Sequence, residues 1–166
     1  MSETTLVLDA ESRAHEHPAD HRDELRLWLR LLTCTNLIEG EIRARLRREF
    51  GVTLPRFDLM AQLDKAPEGM TLGELSRRMM VSNGNVTGLV ERLLDSQLVE
   101  RRTHPTDRRA VVVALTASGR RTFAGMAAAH AEWIAELCAG LAPPDIAQLM
   151  RLLGRLKTQV KEVAHG

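Results

Sequence analysis

Ser82-Asn83-Gly84-Asn85-Val86-Thr87-Gly88-Leu89-Val90-Glu91-Arg92-Leu93-Leu94-Asp95 begins with small polar side chains and turns apolar only at Val86, Leu89, Val90, Leu93 and Leu94. An ordinary surface helix keeps its polar residues along one side. Here the first turn is polar all round and the remainder reads as a core-facing stripe. The leading end is therefore expected to project from the fold. Ser and Asn at that end can satisfy the unbonded N–H groups of the first turn, and the positive end of the helix dipole suits a phosphate. A plain capped helix gives the same local pattern, so the flanking sequence decides between the two readings.

Upstream, Thr71-Leu72-Gly73-Glu74 has the form of a capping box and opens a short helix with apolar positions Leu72, Leu75, Met79 and Met80. Only Val81 separates that helix from Ser82. Two short helices around a tight break, the second with a polar tip, form the helix-turn-helix pattern whose second helix enters the major groove. Downstream, Leu98–Arg102 and Ala110–Leu115 are β-rich and flank Thr103-His104-Pro105-Thr106-Asp107-Arg108-Arg109. Two strands around such a loop predict a hairpin. Its arginines, set against Glu100 and Asp107, argue for a DNA-contacting wing over a hairpin whose charges only protect a sheet edge, because arginine fits phosphates and a narrow minor groove.

The rest of the chain is helical in pattern. Residues 1–20 read as a disordered acidic tail, and its histidines lack the partners of a metal site. From His21 to Phe50 a long helix is expected, with Leu25, Trp28, Leu29 and Leu32 leading into Ile38, Ile42, Leu46 and Phe50, and with Gly51 as its C-cap. Thr116 can cap a helix reaching about Ala139, and Leu141–Asp145 turn into a last helix from Ile146 to about Val163. Those terminal helices carry more apolar surface than one winged helix covers, which implies a homodimer. The expected organisation is a winged helix-turn-helix at 51–116 and a helical dimerisation region at 21–50 and 117–166.

The chain has 166 residues, 44% of them hydrophobic and 3% aromatic, without a Tyr, which suits one mainly helical domain packed by aliphatic side chains. The net charge of +1 means that affinity for DNA has to come from local placement of basic groups. No stretch approaches a membrane span or a signal peptide, so the cytoplasm is the expected location. Cys34 and Cys138 lack metal spacing and read as small buried hydrophobes, with a redox sensor as the alternative. No nucleophile elbow, phosphate-binding glycine loop, metal quartet or paired carboxylates point to an enzyme, and no cofactor or metal is called for.

Residues 54–121 resemble the MarR family of bacterial winged-helix transcription factors. The resemblance lies in Thr53-Leu54-Pro55-Arg56-Phe57, Leu72-Gly73-Glu74-Leu75, Val86-Thr87-Gly88-Leu89-Val90-Glu91-Arg92-Leu93, Asp107-Arg108-Arg109-Ala110, Leu115-Thr116 and Gly119. With the flanking helices it covers nearly all of the chain after residue 20. It implies a mainly α (α+β) fold, a winged helix-turn-helix with a two-stranded wing and long dimerisation helices, acting as a homodimer on a pseudo-palindromic duplex operator. The implied DNA contacts are Ser82, Asn83, Asn85, Thr87 and Arg92 on the helix, and Arg101, Asp107, Arg108 and Arg109 on the wing, with Asp107 holding Arg109 in pose. In the peroxide-sensing branch a reactive Cys is expected near Leu29 together with tyrosines, and both are missing here. The family also implies a repressor of catabolic genes released by a small aromatic ligand, and the runs around Trp28, Arg56 and Ser82 are most similar to the branch that senses hydroxycinnamoyl-CoA thioesters such as p-coumaroyl-CoA or feruloyl-CoA. The implied ligand residues are Trp28, Leu31, Leu32, Thr35, Phe57 and Met60, with Met126 and His130 behind them and Arg30, Arg43, Arg47 and Arg56 at the mouth. A winged-helix protein-interaction module without specific DNA binding is the alternative.

Overall fold

A computed structural model describes residues 22–165 apart from positions 105 and 108. The acidic tail, with its histidines, and Arg108 lie outside the described residues. The order of elements is α1 (Asp23–Phe50), α2 (Leu54–Asp64), α3 (Leu72–Met79), α4 (Asn83–Asp95), β1 (Val99–Thr103), β2 (Val111–Leu115), α5 (Ala117–Leu137) and α6 (Pro143–His165). This is a mostly helical winged-helix architecture with an antiparallel two-stranded sheet, as the sequence implies.

The starts and stops follow local chemistry. Gly51 ends α1 in the left-handed region, its N–H bonded to the Arg47 carbonyl, as its C-cap role predicts. Thr71 and Glu74 form the predicted capping box of α3, with hydrogen bonds in both directions. The helix α6 begins three residues before the expected Ile146. Prolines fit a first turn, where no N–H is needed, and the Asp145 carboxylate accepts the Ala142 N–H at 3.1 Å.

The chain divides between His130 and Ala131 into two compact units. In the first, Val86, Val90 and Leu93 of α4 are buried with Leu46 of α1, Leu59, Met60 and Leu63 of α2, Leu75 of α3 and Met126 of α5. Strand β2 is buried from Val112 to Leu115 and packs against α2, whereas β1 keeps Arg101 and Thr103 exposed. The register pairs Val99 with Leu115 and Thr103 with Val111. Beyond the expected hairpin, Met70 exchanges two main-chain hydrogen bonds with Val113, at 2.9 and 2.8 Å, adding a one-residue rung on the far side of β2. Gly69 permits that approach: at φ 91° its missing Cβ would stand 2.8 Å from the Val113 carbonyl oxygen.

In the second unit the described side chains of α6 are all exposed, including Ile146, Leu149, Leu152, Leu153 and Leu156. On α1, in the first unit, Leu25, Leu27, Trp28 and Leu37 are exposed as well. Among the described residues no helix is long and apolar enough to cross a membrane.

Where the wing meets α5, the Thr116 hydroxyl donates to the Gln97 carbonyl at 2.8 Å and accepts the Gly119 N–H at 2.9 Å. Gly119 lies so close to the chain leaving α4 that a Cβ would come 1.9 Å from the Leu98 carbonyl oxygen. Neither backbone can move without breaking those bonds. Gly119→Ala should therefore destabilise the fold by about 3 kcal/mol or more, read by chemical denaturation, and an unchanged midpoint would contradict the contact.

Candidate nucleic-acid interface

The turn between α3 and α4 is built by three bonds. The Val81 N–H donates to the Ser76 carbonyl at 3.2 Å, the Ser76 hydroxyl donates to the Val81 carbonyl at 2.6 Å, and the Met80 N–H reaches the Arg77 carbonyl at 3.4 Å. Met80 caps α3 at φ 55° and is 93% exposed, so it does not belong to the apolar stripe expected from the sequence. The helical period ends at Met79 because the chain must turn before Ser82. A left-handed residue there is normally glycine, and a side chain costs about 1 kcal/mol.

Ser82 is the N-cap of α4, its Oγ accepting the Asn85 N–H at 3.3 Å. The Thr87 hydroxyl donates to the Asn83 carbonyl at 2.9 Å. Two of the four expected base-reading side chains thus already bond within the helix. The carboxamides of Asn83 and Asn85 are exposed and make no hydrogen bond among the described residues. Gly84 and Gly88 share this exposed surface, and a Cβ on either would meet nothing within 4 Å. Behind it Val86 and Val90 are fully buried, so the tip is fixed to the core while its outer side is bare.

On the wing, Arg101 is ion-paired with Glu91 of α4, which joins hairpin and helix. Arg102 is paired with Glu100 two residues away. Arg109 is exposed, and Asp107 holds its main chain: Oδ1 accepts the Arg109 N–H at 3.0 Å. Arg92 is exposed on α4. Arg77 and Arg78 are also exposed at the end of α3, and the sequence reading missed them because their helix was read only for its apolar positions. Nearby, hydrogen bonds from the Thr71 main chain and hydroxyl hold the Glu74 carboxyl below the usual carboxylate range.

The residues expected to bind an effector divide by burial. Phe57 and Met60 are core, with the Phe57 ring 5.5 Å from Phe123 and 5.1 Å from His130. Leu31 and Leu32 are half-buried, while Trp28 and Thr35 are exposed. The Arg56 Nε is buried without a hydrogen-bond partner, as is the Thr33 hydroxyl. Arg43 is bonded to Glu39 at 2.5 Å, and Arg30 and Arg47 are exposed at the surface of α1. Burial pushes the Asp58 carboxyl up, Glu39 adds to the rise and His130 opposes it. Cys34 is exposed, not buried as expected, because nothing in the described chain covers that stretch of α1, where Thr35, Leu37 and Ile38 are exposed as well, and Cys138 is half-buried. Among the described residues no cluster of His, Cys, Asp and Glu could hold a metal ion.

A MarR family profile matches residues 52–111. The solved structure of a MarR family transcriptional regulator from Silicibacter pomeroyi is 34% identical, covers 82% of this chain and 95% of its own, and superposes with a TM-score of 0.70. The chain belongs to the MarR family. It is a DNA-binding transcriptional regulator, and its relatives are regulators. The transcriptional activatory protein BadR of Rhodopseudomonas palustris is 27% identical over 92% of this chain and 90% of its own length. The structure of CouR from Rhodococcus jostii RHA1 bound to p-coumaroyl-CoA shares the fold at 21% identity and a TM-score of 0.69, covering 78% of this chain and 90% of that one.

Within this MarR-family helix, Gly88 has open space and a solvated backbone. Gly88→Ala should raise stability by about 0.5–1 kcal/mol in thermal or chemical unfolding, and a loss would mean that the position is crowded in the free protein.

Proposed function

We propose that this regulator binds a pseudo-palindromic operator as a homodimer, with the α4 tip in the major groove and the wing at the minor groove. The observation that carries this reading is the α4 tip itself, where two free carboxamides and two bare glycines project from a helix anchored by Val86, Val90 and Leu93. Asn83 and Asn85 are the candidates for reading base edges. Ser82 and Thr87 contribute mainly by ordering the tip. Gly84 and Gly88 let the helix backbone approach the duplex, which gives a reason for glycine where alanine would make the better helix. Arg92, Arg101 and Arg108 are assigned to phosphates and Arg109 to the minor groove. The exposed apolar stripe on α6 and the exposed leucines of α1 support the dimer.

For Asn85→Ala, discrimination between operator and random duplex should shrink by about 1–3 kcal/mol while non-specific affinity stays close to native. Arg109→Ala should weaken both and lower the salt slope by about one unit. Competition binding at several salt concentrations checks both, and equal losses on both duplexes for Asn85→Ala would remove it from base reading. Affinity independent of salt would favour the protein-interaction module instead.

The effector reading is a repressor released by a small aromatic ligand, with an aromatic acyl-CoA thioester as the specific candidate, acting on genes of aromatic catabolism. The unpartnered Arg56 Nε next to Phe57 supports an anionic aromatic ligand in this region. Trp28, Leu31, Leu32, Thr35 and Met60 would surround the aromatic part, and Arg30, Arg43 and Arg47 the phosphates. CouR, which has this fold, is seen with p-coumaroyl-CoA. Titrating the protein–operator complex should release DNA with thioesters at lower concentrations than with free aromatic acids. Release by the acids alone would exclude the CoA reading. A ligand that binds without changing operator affinity is not an effector, because only a difference in affinity for two states shifts an equilibrium. BadR is named as activatory, so a reporter assay has to fix the sign of regulation.

A further inference from the structure

Among the described residues, two side chains, those of Asp107 and His104, accept main-chain N–H groups at the tip of the wing. Between His104 and Ala110, five main-chain N–H groups are described as donors. Those of His104 and Ala110 go to the carbonyls of Ala110 and Asp107, at 2.9 and 3.0 Å. The Arg109 N–H goes to Asp107 Oδ1. The remaining two, from Thr106 and Asp107, both converge on His104 Nδ1 at 3.3 Å, and the Thr106 hydroxyl lies 3.2 Å from the same atom. An atom approached by two amide N–H groups must present a lone pair. The imidazole of His104 is therefore the tautomer with its proton on Nε2, and Nδ1 performs the task that an Asp or Asn oxygen performs at the start of a turn.

We propose that His104 is a positioning residue for DNA binding: its unprotonated Nδ1 gathers the Thr106 and Asp107 amides, sets Asp107 where it can hold the Arg109 main chain, and so presents Arg109 to the duplex. The order of dependence is visible in the bonds. His104 fixes the Asp107 amide, the Asp107 carboxylate fixes the Arg109 amide, and the exposed Arg109 side chain starts from that fixed backbone. Without the first link the tip has more conformations to lose on binding, and that ordering weakens association. The inference rests on the reading that the wing touches DNA.

The test compares His104→Leu, which has no acceptor, with His104→Asn, whose carboxamide oxygen takes the place of Nδ1. In the free full-length protein, amide hydrogen exchange at Thr106 and Asp107 should quicken in His104→Leu and stay close to native in His104→Asn, with core amides unchanged in both. Operator affinity should fall about tenfold in His104→Leu with a salt slope lower by about one unit, and should stay within about twofold of native in His104→Asn. Adding His104→Leu to Arg109→Ala should cause no further loss, because the first acts through the second. Native binding by His104→Leu, an equal loss in His104→Asn, or additive losses in the double variant would each overturn the proposal. If Arg109→Ala itself binds as native, the wing is not at the interface. That failure is separable, because the exchange measurement needs no DNA.

Discussion

One threonine joins α4, the hairpin and α5. Thr116 donates to the carbonyl of Gln97 and accepts the N–H of Gly119, while its own N–H reaches the Leu98 carbonyl at 3.1 Å. Gln97 and Leu98 are the residues by which α4 passes into the wing, and Gly119 lies in the first turn of α5. Gln97 takes φ 57° at this point, a left-handed conformation that surrounding bonds must maintain. The orientations of α4, the hairpin and the following helix are thus set at one place, where there is no room for a methyl group. A rigid junction of this kind would suit the proposed interface, in which α4 and the wing meet adjacent grooves of one duplex.

What could be read from the sequence was mostly what is local in the chain. The capping box at Thr71 and Glu74, the N-cap at Ser82 and the end of α1 at Gly51 each need only residues within one helical turn, and each is present. The buried stripe of α4 was legible for the same reason, since its spacing repeats the helix. Met80 was misplaced because periodicity has no term for a chain reversal. The Met70 rung on β2 and the close passage of Gly119 over Leu98 join segments far apart in sequence, and no spacing rule reports them. At the candidate site, the bonding of the expected residues was not legible in the sequence. Ser82 and Thr87 bond within the helix, Asp107 accepts the Arg109 main-chain N–H, and His104 Nδ1 gathers two loop amides that no spacing rule reports.

With a net charge of +1, the protein has to localise attraction for a polyanion. Several arginines are already matched to carboxylates: Arg43 to Glu39, Arg45 to Glu41, Arg102 to Glu100 and Arg101 to Glu91. On the helices these pairs span one turn and are worth about 0.3–0.5 kcal/mol each where exposed. Their larger effect is to neutralise charge away from the α4 tip and the wing end.

The pair between Glu91 and Arg101 has a different character, because it spans two elements at the edge of the proposed interface. Binding of a free arginine to DNA gains entropy by releasing a condensed salt ion from the duplex. An arginine that must first leave a carboxylate exchanges one partner for another, so in the proposed complex Arg101 would leave Glu91 facing the phosphates. If Arg101 meets a phosphate as proposed, Glu91 would serve as a built-in counterion, lowering the general stickiness of this surface for any duplex and making occupancy depend more on shape and base contacts than the number of arginines suggests.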